Sequence, residues 1–210
     1  WMAMIDWVWK VIQGIPASAG ATVYMADARK FHKADSCVIS TDPPYYDNIG
    51  YADLSDFFYV WLRYTLGKIY PDLFSTILVP KAQELVATPY RFGGNKQEAE
   101  TFFEEGLRQV FANLHGAAHN AHPLTVYYAF KQTERDEEDD LQAGFGELRA
   151  STGWETMLSA LVETGFQITG TWPMRTELAN RSTGLGTNAL ASSIVLVCRP
   201  RPAAAPTVSR

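Results

Sequence analysis

The segment Asp35-Ser36-Cys37-Val38-Ile39-Ser40-Thr41-Asp42-Pro43-Pro44-Tyr45 is a short apolar run that stops at an acidic residue and two prolines. A strand buried on both faces reads this way just before a loop, so Asp35 to Thr41 is expected to be a central parallel strand. Upstream, Ile5, Val8, Trp9 and Ile12 fall at helical spacing, predicting a helix over Met2 to Gln13 that stops at Gly14 and Pro16. Ala21 to Ala26 reads as a strand. Downstream, helices are expected over Leu54 to Leu66, Gln97 to Leu114 and Trp154 to Thr164, the last closed by Gly165. Further strands are expected over Thr125 to Phe130, Phe166 to Trp172 and Ser192 to Cys198.

This alternation predicts an α/β fold, with right-handed crossovers and a mostly parallel sheet covered by helices on both faces. The last two strands, joined without a helix, are expected to form an antiparallel pair. One folded region over 1–199 is expected, followed by a mobile Pro- and Ala-rich tail over 200–210.

The 210 residues are 47% hydrophobic and 20% charged, a globular composition that excludes fibrous and low-complexity classes. A chain of this size buries roughly 70% of its unfolded surface and needs no metal or disulfide to hold a core. Cys37 and Cys198 both lie in apolar runs and form no Cys-x-x-Cys pair, which excludes a zinc ribbon or thioredoxin-type centre. No apolar stretch approaches the roughly 20 residues of a membrane span, and Trp1 to Trp9 has neither a basic leader nor a cleavage site. The expectation is a soluble, cytoplasmic protein with no membrane partner. Asn180-Arg181-Ser182 then carries no weight as a sequon. The missing initial methionine suggests a piece of a longer chain. Net charge is −5, so a nucleic-acid duplex held by this region would need help from elsewhere. The run Glu134 to Asp140 reads as a solvated loop.

In a sheet of this kind ligands sit outside the carboxyl ends of the strands, which is where Asp42-Pro43-Pro44-Tyr45 falls. The prolines stiffen the loop and remove two backbone donors, leaving carbonyls as uncommitted acceptors between a carboxylate and a ring. That set can grip a flat base bearing an exocyclic amino group: Asp42 and the Pro43 carbonyl each accept one amino hydrogen, and Tyr45 stacks on the base. As the nitrogen attacks a methyl group it gains positive charge, so two fixed acceptors stabilise the transition state more than the ground state.

Asp-Pro-Pro-Tyr resembles the catalytic motif of amino-group methyltransferases that act on adenine or cytosine with S-adenosylmethionine. The longer stretch Asp42-Pro43-Pro44-Tyr45-Tyr46-Asp47-Asn48-Ile49-Gly50-Tyr51-Ala52-Asp53-Leu54-Ser55-Asp56-Phe57-Phe58 resembles long prokaryotic adenine-specific DNA methylases, as do Thr125 to Lys131, Gly170 to Glu177 and Ser192 to Arg199. The resemblance covers about Ala21 to Arg199. It implies a class I, Rossmann-like methyltransferase sheet, S-adenosylmethionine as cofactor and DNA as partner. It also implies Asp42, Pro43, Pro44 and Tyr45 as catalytic residues. Family members with Asp in the first position usually act on DNA adenine, those with Asn more often on protein glutamine or ribosomal RNA.

The same resemblance places Asp27-Ala28 at the position that accepts from the cofactor's adenine amino group; Asp27 also suits a cap on a turn before Arg29 and Lys30. The family's glycine-rich cofactor turn is missing, since Gly184-Leu185-Gly186 and Gly144-Phe145-Gly146 stand in the wrong places. The chain thus looks like a carboxyl-terminal portion, a partial fold whose partner is an amino-terminal half of the same protein.

Tyr46 and Asn48 are expected to shape the base pocket. Asp53 and Asp56 suit either the dipole of the following helix or the substrate, and Arg175 suits either a phosphate or Glu177. His115, His119 and His122 lack the glutamate of a zinc-protease pattern, so no metal is expected. Phe57, Phe58, Tyr59, Trp61 and Tyr64 are expected mostly in the core. Alternatives to DNA adenine methylation are a non-catalytic nucleic-acid or partner-binding module, or an amino-methyltransferase acting on RNA, cytosine or protein glutamine.

Overall fold

The computed structural model describes residues 1–16, 20–31, 36–47, 49–129, 152–174, 193–202 and 204–205. The acidic run, both Gly-x-Gly pairs, Asn48, Arg175, Glu177 and the sequon lie outside the described residues.

Four helices, α1 (Met2–Gly14), α2 (Tyr51–Leu66), α3 (Lys96–Ala117) and α4 (Thr152–Glu163), accompany four strands, β1 (Ser40–Thr41), β2 (Leu124–Ala129), β3 (Phe166–Met174) and β4 (Ser193–Pro200). The sheet runs β1-β2-β4-β3. β1 is parallel to β2, whereas β4 is antiparallel to both β2 and β3. The expected antiparallel final pair is present. The sheet is mixed among the described residues, however, and not mostly parallel: each of β2 and β3 meets β4 running the other way.

α3 forms where its sequence signals it. Asn95 accepts from the Glu98 amide at 3.2 Å as an N-cap, and Ala99, Phe103, Leu107, Phe111 and Leu114 make one buried stripe. α4 ends at Gly165, whose φ of +93° is a left-handed conformation that glycine adopts without strain. Leu124, Val126 and Tyr128 of β2 lie directly opposite Cys198, Leu196 and Ile194 of β4, so all six share a face. Phe103, Leu107 and Phe111 of α3 and Met157 and Leu161 of α4 join that face in one core cluster. The helices that build this core thus cover one side of the sheet, and Tyr127 on the other side is exposed. The expected helices on both faces are not seen among the described residues.

Three other expectations change. Ala21 to Ala26 is not a strand: no described strand pairs with it, leaving its backbone groups without a ladder, and Val23 is 94% exposed. Among the described residues, the strand predicted over Asp35 to Thr41 contracts to Ser40–Thr41 plus a single bridge from Cys37 to Ala118, and it lies at the edge of the sheet, not its centre. Of the α2 aromatics expected in the core, only Tyr59 is buried; Phe57, Phe58, Trp61 and Tyr64 are exposed, as is every residue of α1. Strand pairing continues through Pro200, and the Arg201 amide donates to the Gly165 carbonyl at 2.8 Å. No helix among the described residues is long and apolar enough to cross a membrane.

Candidate functional site

β1 is held by β2 through the Thr125 amide, which donates to the Ile39 carbonyl at 3.0 Å, and the chain then leaves the sheet directly into Asp42-Pro43-Pro44-Tyr45. Because β1 and β2 are parallel, this loop and Tyr128 near the end of β2 lie at the same end of the sheet. Asp42 is exposed and has no hydrogen-bond or ion-pair partner among the described residues.

An aromatic wall stands beside it. The Tyr45 ring meets Tyr128 edge-on (centroids 6.1 Å apart, planes at 80°) and lies tilted against Tyr51 at 6.5 Å. Tyr128 in turn stacks on Trp154 at 6.1 Å. Burial pushes the Tyr128 hydroxyl up to about 12 and raises that of Tyr51, which also feels the charges of Tyr45, Asp42 and Glu84. Both phenols are therefore protonated at neutral pH and act as rings and donors, not as bases.

Tyr46 turns the other way, into the core, with its ring edge-on to Phe103 at 5.2 Å. Its hydroxyl is buried, and burial, followed by the Glu100 carboxylate beside it, raises its pKa well above the ordinary value. Tyr46, expected to shape the base pocket, thus packs its ring beneath the loop. The Ala87 amide grips the Tyr46 carbonyl at 2.8 Å, and the α4 backbone passes so close at Gly153 that a Cβ there would sit 2.7 Å from Tyr46 Cβ.

A segment that sequence reasoning passed over, Lys81 to Arg91, lies alongside. Arg91 Nη2 pairs with Asp53 Oδ2 at 2.8 Å and Glu84 Oε2 at 2.7 Å, while Glu84 Oε1 accepts from the Ala52 amide at 3.0 Å. Burial works against the Arg91 charge, but its bonds to Asp53, Tyr90 and Glu84 outweigh it and raise its pKa. Tyr90 and Arg91 together hold the Asp53 carboxyl low, and Lys81, at 2.7 Å, holds Asp56 low. Asp53 and Asp56 thus tie this segment to α2, beyond any service to the helix dipole. No local signal in the sequence links Arg91 to Asp53, 38 positions away.

Asp27 caps the single turn Ala28–Lys30, accepting from the Arg29 amide at 3.0 Å and from its guanidinium at 2.9 to 3.3 Å. These bonds lower its pKa. Ala28 is exposed beside it. Arg29 also donates to the Gln83 carbonyl at 3.2 Å, so the Asp27 turn and the Asp42 loop both touch the same segment. Of the histidines, His115 packs its ring edge-on to Phe166 at 5.1 Å, while His119 and His122 lie together with ring centroids 4.7 Å apart and His119 Nδ1 accepts from the Ala121 amide at 3.0 Å. Cys198 is buried and Cys37 partly so, both unpaired.

Fold and site together define a mixed α/β protein with an exposed carboxylate and an aromatic wall at one end of its sheet. Comparison with known families, curated proteins and solved structures returned no match.

Proposed function

We propose that this chain carries the catalytic region of an S-adenosylmethionine-dependent methyltransferase acting on the exocyclic amino group of adenine in DNA. One observation carries the reading most: Asp42 is exposed at the strand end with no hydrogen-bond or ion-pair partner among the described residues, next to two ring-locked prolines and a Tyr45 ring held between Tyr51 and Tyr128. A base flipped out of a duplex would stack on Tyr45 and offer its amino hydrogens to Asp42 and the Pro43 carbonyl. Fixed acceptors of this kind stabilise the positive charge that grows on nitrogen, and the proton then leaves toward Asp42 or water.

The cofactor supplies an activated methyl group when bound. Asp27 and Ala28 suit one contact to it. Asp27 accepts four hydrogen bonds from Arg29, two on each oxygen, so an adenine amino group would take the place of the longest of them, the 3.3 Å bond from Arg29 Nε. The rest of a class I sheet, including a glycine-rich turn from an amino-terminal half, would lie on the edge of β1 away from β2, beside the exposed Val38.

The test is the methylated product formed by the intact protein with labelled cofactor and, in separate reactions, unmethylated DNA, RNA and protein, read by mass spectrometry. N6-methyladenine is expected. Methylated cytosine, RNA or glutamine would replace the substrate, and no transfer to any of them would leave the non-catalytic binding module.

A further inference from the structure

We propose that Arg91 is a positioning residue for methyl transfer: bridging Glu84 and Asp53, it pins the segment Lys81 to Arg91 so that Ala87 holds the Tyr46 carbonyl and thereby the Asp42–Tyr45 loop. The inference rests on the methyltransferase reading and adds to it a group outside the motif. Arg91 and Glu84 are only 12% and 13% exposed, and the guanidinium also donates to the Lys81 carbonyl at 3.1 Å, so it closes its own segment into a loop as well as docking it. A planar guanidinium can serve two carboxylates and a carbonyl at once; a lysine ammonium on its flexible stem cannot reproduce that fork.

The consequence for the site follows from where the loop is anchored. At its front, β1 is fixed by β2. At its back, the α2 N-terminus is fixed by Glu84, which accepts from Ala52, and by Asp53, which accepts from Arg91. In the middle, the Ala87 amide holds the loop by the Tyr46 carbonyl, and Ala87 is buried together with Val86. Two of these three anchors depend on Arg91. Without it, Glu84 and Asp53 face each other as unpaired carboxylates, their repulsion pushes the segment off α2, and the Ala87 bond loosens. Arg91 touches neither base nor cofactor in this scheme. Its loss displaces acceptors whose value lies in their placement, so the chemical step suffers more than binding does.

The experiment uses the intact protein as wild type, Arg91→Lys, Arg91→Ala and Glu84→Gln, with Arg108→Ala as a control that removes the remote ion pair to Glu163. The readouts are hydrogen exchange at the Ala87 amide, and kcat and KM for methylation of an unmethylated duplex target. Arg91→Lys is expected to speed Ala87 exchange about tenfold or more while amides of α3 keep their protection. It should lower kcat about 10- to 100-fold with KM nearly unchanged, and Arg108→Ala should do neither. If Arg91→Ala loosens α3 as well, Arg91→Lys and Glu84→Gln carry the test. Unchanged Ala87 exchange, or a loss expressed only in KM, overturns the proposal. A wild-type protein that methylates nothing overturns the methyltransferase reading instead, and the exchange data still decide whether Arg91 pins the segment.

Discussion

Gly153 is the point where α4 touches the candidate loop, and Gly153→Ala perturbs it with a single methyl group. The added Cβ would stand 2.7 Å from Tyr46 Cβ, 3.1 Å from Tyr46 Cγ and 2.9 Å from the Tyr128 hydroxyl. Ordinary contact begins at 3.4 Å, so 3.4 − 2.7 = 0.7 Å must be found between the α4 backbone and Tyr46. Neither side gives easily, because Tyr46 is wedged on Phe103 and its carbonyl is held by Ala87. Overpacking of this kind costs about 1–3 kcal/mol. Alanine recovers less than about 1 kcal/mol of helix propensity at the first turn, so a net loss of about 1–2 kcal/mol is expected in urea unfolding. The same displacement, passed to Asp42 through the prolines, should lower kcat about tenfold or more. Tyr128→Phe in the same background removes the hydroxyl contact and should restore little, since the Tyr46 contact remains. A Gly153→Ala protein with unchanged stability and unchanged kcat would refute the close approach.

Other expectations follow from single contacts. Phe103 is fully buried at the centre of the core, so Phe103→Ala should cost about 3–5 kcal/mol and lower the thermal midpoint markedly. Asp27, Asp53 and Asp56 all have pKa values below the ordinary 3.8, so their ion pairs stabilise the fold fully above that pH. The stabilisation is lost as pH falls through the lowered values, where the unfolded chain binds more protons. The urea midpoint should therefore drop below about pH 4, and Asp27→Asn with Asp53→Asn should flatten the drop; a midpoint rising in acid would contradict it. Burial pushes the Cys198 thiol up to about 11, so at neutral pH a thiol reagent should modify at most Cys37 in the native protein and both cysteines after unfolding.

Much of this architecture could be read from local pattern. α3 announces itself by a cap and an apolar stripe, and β2 and β4 by continuous apolar runs, because those residues face a core that the chain itself supplies. The same logic misplaced Val23, Val38 and the α2 aromatics: apolar periodicity reports that a face is to be covered, not whether this chain covers it. The Asp42 loop was legible because its residues are contiguous. Arg91, Glu84, Ala87 and Gly153 were not, since their partners lie far away in sequence and only the folded chain brings them together. Tyr46 was assigned to the base pocket by its neighbours in the motif, yet alternation along the loop turns it toward Phe103.

The most direct test of the central claim is the single-turnover rate of methyl transfer to DNA by the intact protein, wild type against Asp42→Ala, with cofactor and DNA affinities measured alongside. Loss of a fixed acceptor at the reacting nitrogen should slow transfer about 100-fold or more while both affinities stay close to wild type. Equal rates for the two proteins would contradict the assignment of the Asp42–Tyr45 loop as the catalytic site.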